Sequence, residues 1–283
     1  MKNILIAGVH SYIGESFREF LEQYPEEYLV SEIATKGLEP TPEIFEGIDV
    51  IFCVAGIAHM KETRENRHLY FEVNRDLVVR IAKNAKEAGV KQFILLSSMS
   101  VYGLAVGHIG RDTEPHPLTA YGESKLQCDK EIERLEDDNF IFTCLRPPMV
   151  YGKNCTGNYQ MLRKFALKSP IFPKYENKRS MIYIGNLCEF IKGCIDSERK
   201  GIFFPQNMEP TNTSEMVRLI AAEHGKQIKL TRAFNWALKI APLGVVKKVF
   251  GDLVYEFVDT VEKYGFQESI ELTEREEIHE HIK

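Results

Sequence analysis

The sequence predicts an α/β fold, a doubly wound parallel sheet with a smaller C-terminal lobe. Three observations predict it. An apolar strand, Lys2–Ala7, runs directly into a glycine-bounded turn and an amphipathic helix. Strand-like and helix-like stretches then alternate through residue 146, the pattern of βαβ units. Beyond Gly152 the elements become shorter and the alternation stops. At 283 residues, the chain suits one large domain or a main domain with a lobe. The change of pattern divides it into a core over 1–150 and a lobe with C-terminal helices over 151–283, with some return to the core.

The first strand leads into Gly8-Val9-His10-Ser11-Tyr12-Ile13-Gly14, and Ser16–Leu21 then follows with helical periodicity. A tight turn into a helix N-terminus aims backbone N–H groups and the positive dipole end at a pyrophosphate. Glycine serves where the chain turns sharply or approaches phosphate. The middle position here is Ser11, which costs backbone freedom but could donate a hydroxyl. Tyr28–Ala34 reads as the second strand, Asp49–Val54 as the third, and Asn66–Ala88 as one long helix. Lys91–Ser97 is a strand, Tyr121–Glu136 a helix and Phe140–Arg146 a strand. The loop from Ser98 to Tyr121, rich in Gly, His and Pro, is long enough to cover a site. Helices near Leu187–Ile195 and Ser214–His224 would build the lobe at the carboxyl ends of the strands, where open α/β sheets bind ligands.

The chemistry concentrates in Thr119-Ala120-Tyr121-Gly122-Glu123-Ser124-Lys125 and in Ser98 at a strand end. Tyr121 and Lys125, at i and i+4, share one helical face, so an ammonium can sit near a phenol. A nearby cation favours phenolate. A serine hydroxyl could hold the oxygen whose proton is exchanged. Acid/base, tuner and positioner are the parts that carbonyl/alcohol interconversion needs. Ser97 and Ser100 are rivals to Ser98.

Taken in order, these signatures resemble the extended short-chain dehydrogenase/reductase family, in particular its nucleotide-sugar epimerases, dehydratases and 4-ketoreductases. The resemblance runs from about residue 2 to about residue 225. It includes Gly8…Gly14, Val54-Ala55-Gly56, Asn74, Ser98, Tyr121, Lys125 and Leu145–Gly152. Arg179–Ile184 and Asn212–Val217 complete it. It implies a Rossmann-type core that binds a dinucleotide through Gly8, Ser11, Tyr12, Ile13, Gly14, Ala55, Gly56, Asn74, Tyr121, Lys125 and Pro147. Tyr121 would transfer the proton at the sugar oxygen, Lys125 would hold phenolate and nicotinamide ribose, and Ser98 would bond the same oxygen. Arg179 resembles the arginine that reaches the substrate diphosphate, a role its planar charged fork suits. His59 and Asn158, with Tyr159, are further candidates for the substrate cleft. The chain departs from the family at Ser11, at Met149 and at the end of the second strand. There Ala34 stands where NAD-preferring members carry an acid, and Lys36 is close by. That exchange of charge suits a 2′-phosphate, so NADP is favoured over NAD and Lys36 joins the cofactor residues.

Composition narrows the partners. A net charge of −5 and no Lys/Arg-rich run argue against nucleic acid. Six cysteines without a Cys-x-x-Cys pair read as reduced thiols, and no metal site is expected. The chain opens on a strand and lacks an apolar run of about 20 residues, so a cytoplasmic protein without a transmembrane segment is expected. Residues 234–250 are apolar with interspersed lysines, read as a helical pair on the lobe, with membrane-surface contact as a minor alternative. A homodimer is left open.

The resemblance therefore implies hydride transfer at C4 of a nucleotide-linked sugar. An NADPH-dependent 4-ketoreductase is marginally favoured by Ala34 and Lys36, and a UDP-sugar 4-epimerase with bound NAD is the alternative. A 4,6-dehydratase fits less well, because Met99 and Ser100 follow Ser98 where Asp-Glu is expected. A regulatory protein that binds a nucleotide without turnover is the second alternative.

Overall fold

The computed structural model describes residues 1–58, 60–233, 235, 243–256, 259 and 262–275. The first half carries β1 (Lys2–Ala7), α1 (Tyr12–Leu21), β2 (Tyr28–Ile33), β3 (Val50–Cys53), α2 (Arg67–Phe71), α3 (Val78–Glu87) and β4 (Gln92–Leu96). After β5 (Gly107–Ile109) and α4 (Ala120–Glu133) come β6 (Ile141–Leu145), β7 (Met149–Tyr151), α5 (Asn158–Lys168) and β8 (Ile171–Pro173). The remainder holds β9 (Met181–Tyr183), α6 (Ile184–Asp196), β10 (Gly201–Phe203), α7 (Thr213–Glu223) and β11 (Lys229–Thr231). The described chain closes with α8 (Leu243–Phe250), β12 (Leu253–Tyr255) and α9 (Phe266–Glu274).

Six parallel strands form the central sheet in the order β10-β6-β4-β3-β1-β2. In register, Ala7 lies opposite both Ile33 and Cys53, and Leu96 opposite Leu145, so the strands end together at their carboxyl edge. β2 lies on one side of β1 and β3 on the other, which makes that edge a topological switch point. The strands are apolar on both faces because both are covered. Ile4, Ile6, Phe52, Ile94 and Leu145 pack with α1 and α6, and that core continues into α5, α7 and α9. Leu5, Ala7, Ile51, Cys53, Phe93 and Leu95 face α3 and α4. The predicted strands and α4 are therefore present, with ends moved by one to three residues.

Three stretches differ from the sequence reading. The helix expected over 66–88 is continuous over 67–87 but takes a π-helical turn at Glu72–Leu77, between α2 and α3. That turn carries Asn74, whose buried side chain bonds the backbone of Ile57; π-turns gather at such places. The loop after Ser98 is partly ordered, with a 3-10 turn at Met99–Tyr102 and β5 paired in parallel with β12. Three-residue strands paired far along the chain leave no periodicity to read. In the tail, α8 sets Phe250 against Phe172 and Tyr175 on the lobe, whereas 236–242 lie outside the described residues. Among the described residues, no helix is long and apolar enough to cross a membrane.

Gly152 joins β7 to the wall formed by α1 and α6. Its φ is +156°, and a Cβ would overlap Ile184 Cγ2 and lie 2.6 Å from the Tyr12 hydroxyl. Overpacking and a disfavoured φ each cost about 1–3 kcal/mol. Gly152→Ala should therefore lose about 3 kcal/mol in urea unfolding, while Gly193→Ala, with open space at its Cβ, should lose nothing.

Candidate active site

A cleft of about 860 Å³ opens along the carboxyl edge of the sheet. One wall is the turn Gly8–Ile13 with Thr35, and its floor is Val54–Gly56. The opposite wall carries Ser97–Ser100, Tyr121 and Lys125, then Pro147–Val150; Asn158 and Arg179 lie on the lobe side.

The turn leaves little room for a side chain at Gly8. Gly8 has φ +126°, and a Cβ there would sit 3.0–3.3 Å from Val54 and Ala55. Ser11 caps α1 by accepting the Gly14 N–H at 3.4 Å, which leaves its hydroxyl proton able to donate. The N-terminus of α1 thus opens on the cleft with its dipole available to an anion.

α4 presents Tyr121 and Lys125 because Thr119 caps it, its Oγ1 accepting the Gly122 N–H at 3.1 Å. Lys125 is buried, and its Nζ donates to the carbonyls of Leu96 at 2.9 Å and Ala55 at 3.4 Å. A Cβ on Gly56, where φ is +158°, would lie 3.2 Å from that Nζ and 3.0 Å from Asn74 Oδ1. Tyr121 is half-buried, its ring edge-on to Tyr70 with centroids 6.4 Å apart. Among the described residues its phenol makes no hydrogen bond, so it can meet a ligand.

The three serines now separate. Ser97 is buried and its Oγ donates to Asp129 at 2.9 Å. Ser98, half-buried in the cleft, accepts the Ser100 N–H and bonds Ser100 Oγ, both at 3.1 Å. Ser97 and Ser100 border the same wall, but Ser97 is committed to Asp129, and Ser98 is coupled to the exposed Ser100.

Other expected site residues fall differently. Asn74 is fully buried and absent from the cleft wall; it binds Ile57 N–H at 2.7 Å, Ile57 C=O at 3.1 Å and Ser124 Oγ at 3.2 Å. It shapes the floor from behind and does not line the site. Tyr159 is also core: its hydroxyl donates to the buried Glu274 at 2.7 Å, beside Arg163 and His224. Lys36 is exposed next to the wall residue Thr35, and Glu32 is paired with Arg18 at 3.3 Å. His59 lies outside the described residues. Arg179 borders the cleft, but its Nη1 donates to the carbonyls of Gly251 at 2.6 Å and Lys247 at 3.3 Å, and burial draws its pKa down. Cys155 also lines the wall, with burial raising its thiol pKa, so it stays protonated. Leu104 and Leu253 reach the wall through β5 and β12, a pairing that local sequence does not announce.

This fold and cleft are those of a family. The chain belongs to the NAD dependent epimerase/dehydratase family, which matches residues 4–202. It is 30% identical over 234 residues to a UDP-glucose 4-epimerase of Vibrio cholerae, spanning 77% of this chain and 71% of that one. It is 28% identical over 214 residues to an N-acetyl-α-D-glucosaminyl-diphospho-ditrans,octacis-undecaprenol 4-epimerase of Escherichia coli O157:H7, spanning 67% and 62%. In fold it resembles a UDP-glucuronic acid 4-epimerase from Bacillus cereus, solved with NAD, at a TM-score of 0.75 and 14% identity, covering 96% and 97% of the chains. A dTDP-4-dehydrorhamnose reductase from Clostridium acetobutylicum aligns at 0.68 and 18%, covering 81% and 82%.

The position of Asn74 makes a specific prediction. Asn74→Ala strips the N–H and C=O of half-buried Ile57 and the Oγ of buried Ser124 of a partner, at about 1–3 kcal/mol for such a loss. The protein should unfold at lower denaturant and bind dinucleotide roughly tenfold more weakly in a fluorescence titration, because the Gly56 floor loosens.

Proposed function

We propose that the chain is an NAD(P)-dependent enzyme that moves hydride at C4 of a nucleotide-linked sugar, acting as a 4-epimerase. The observation that carries this reading is the arrangement of Ser98, Tyr121 and Lys125 on one wall of a cleft whose other wall is a glycine turn at a helix N-terminus. The residues fit a dinucleotide: Gly8 and Gly56 stand where a Cβ would fill the cradle, and the first turn of α1 faces it. Gly8–Ile13 would hold the pyrophosphate, Ala55–Gly56 and Pro147 would flank the nicotinamide half, and Lys125 would bond its ribose. When bound, the cofactor supplies a reversible hydride acceptor.

The chain's own groups do the rest. Tyr121, with its unbonded phenol, takes the C4 hydroxyl proton and returns it. Lys125, one helical turn beyond Tyr121 on the same face of α4, is the cation that would favour a phenolate there. Ser98 bonds the same sugar oxygen and fixes its position. Arg179, through the guanidinium nitrogens not committed to Gly251 and Lys247, meets the diphosphate. The names of the Vibrio and Escherichia relatives favour the epimerase over the reductase. A second reading, an NADPH-dependent 4-ketoreductase, is supported by one observation. No acid stands at the end of β2, where Ala34 and Thr35 are followed by Lys36, and Glu32 is committed to Arg18.

The test is turnover of UDP-glucose to UDP-galactose, with mass spectrometry of dinucleotide released by denaturation. Retained NAD with UDP-galactose formed supports the epimerase; an empty protein that consumes NADPH with a 4-keto sugar supports the reductase. Tyr121→Phe should keep the fold and lower turnover by about 10²–10⁴-fold. Full activity in a folded Tyr121→Phe protein contradicts both readings. Arg179→Ala should raise KM for the sugar nucleotide roughly 10–100-fold with kcat nearly unchanged, as a uniform binding group does.

A further inference from the structure

The strongest unassigned feature near the cleft is a buried ion pair behind its serine wall. Asp129 follows Lys125 by four residues and Tyr121 by eight, on the same inward face of α4. It is 2% exposed, and Arg146 is 5% exposed. Two donors converge on one oxygen, Asp129 Oδ2, Arg146 Nε at 3.0 Å and Ser97 Oγ at 2.9 Å, and Arg146 Nη2 lies 3.0 Å from the same atom. Arg146 Nη1 reaches the Tyr102 hydroxyl at 3.1 Å. Burial pushes the Asp129 carboxyl up, but the guanidinium in contact opposes that shift, and we assign the pair as charged. The thiols of Cys128 and Cys144 and the ammonium of Lys125 also act on it, and burial keeps both thiols protonated.

The connections of this carboxylate carry the inference. Ser97 is the residue before Ser98. Arg146 is the residue before Pro147, whose carbonyl accepts the Met99 N–H at 3.0 Å, just past Ser98. The carbonyl of Arg146 itself accepts the Tyr255 hydroxyl at 2.8 Å, which ties in β12. Resting on the reading of Ser98, Tyr121 and Lys125 above, we propose that Asp129 is a positioning residue. Through Ser97 it locks the end of β4 to α4, and so fixes the Ser98 hydroxyl against the Tyr121 phenol. The donor from Ser97 is not needed to satisfy Arg146, which already bonds the carboxylate through Nε and lies 3.0 Å from it at Nη2. Its consequence falls on the residue next to it. Displacement of a reacting group by about 1 Å can cost about a hundredfold in rate.

Ser97→Ala tests this without unpairing the buried charges. The expected result is a kcat for UDP-glucose epimerisation about tenfold lower, with dinucleotide affinity within twofold of wild type and a similar melting temperature. Ser97→Thr, which restores the hydroxyl, should recover most of kcat. Amide hydrogen exchange of residues 97–103 gives a readout that needs no substrate, and should quicken about tenfold in Ser97→Ala with the rest of the chain unchanged. Wild-type kcat in Ser97→Ala, alongside an inactive Tyr121→Phe, overturns the positioning role and leaves the proposed function standing. If the wild-type protein turns over neither UDP-glucose nor, with NADPH, a 4-keto sugar, the proposed function fails separately. The exchange result then decides whether the Ser97–Asp129 bond holds this wall, and unchanged exchange overturns it.

Discussion

The candidate site depends on a buried ammonium. Lys125 sits at the carboxyl edge of the sheet with its Nζ held by the carbonyls of Leu96 and Ala55, the ends of two neighbouring strand–loop junctions. A charge taken out of water is tolerated only where it is bonded, so these carbonyls have to be in place. Everything around them serves that requirement. Gly56 has no side chain because one would fall between Lys125 and Asn74, and Asn74 fixes the next peptide, Ile57, through both its N–H and its C=O. The π-turn in the α2–α3 helix is the backbone form that carries this asparagine. The sheet order brings β3 and β4 side by side, so both carbonyls reach one amine.

The nucleotide side of the cleft is built on a different principle, close approach. Gly8 and Gly14 pack against Val54 and Ile6, so strand, turn and helix meet with no intervening side chain. Ser11 stands where a third glycine is expected, and the helix uses its hydroxyl as an N-cap. Tyr12 shows the opposite economy: its hydroxyl is buried with no partner among the described residues, and burial raises its pKa. That cost is tolerated next to Gly152, where the backbone passes too closely for any other residue.

Much of this was legible in the sequence, and the reasons are physical. The inner strands of the covered sheet are mostly apolar, and helices such as α1 show a 3.6-residue period, so their order is read directly. Ser98, Tyr121 and Lys125 were legible because helical spacing and a strand end fix where they lie relative to one another. Asn74, expected at the cofactor, is committed to Ile57 and Ser124, and no periodicity says whether a buried amide faces a ligand or a loop. The core position of Tyr159 is illegible for a related reason: its partner, Glu274, lies 115 residues away. The walls supplied by β5 and β12 come from three-residue pairings distant in the chain, which leave no local signal.

The central claim is that hydride, not a proton, moves at C4 of the sugar. Epimerisation of UDP-glucose in deuterated water, with the product examined by NMR, separates the two directly. Hydride moved within the closed cleft predicts UDP-galactose with no deuterium at C4. UDP-galactose carrying deuterium at C4 contradicts the account.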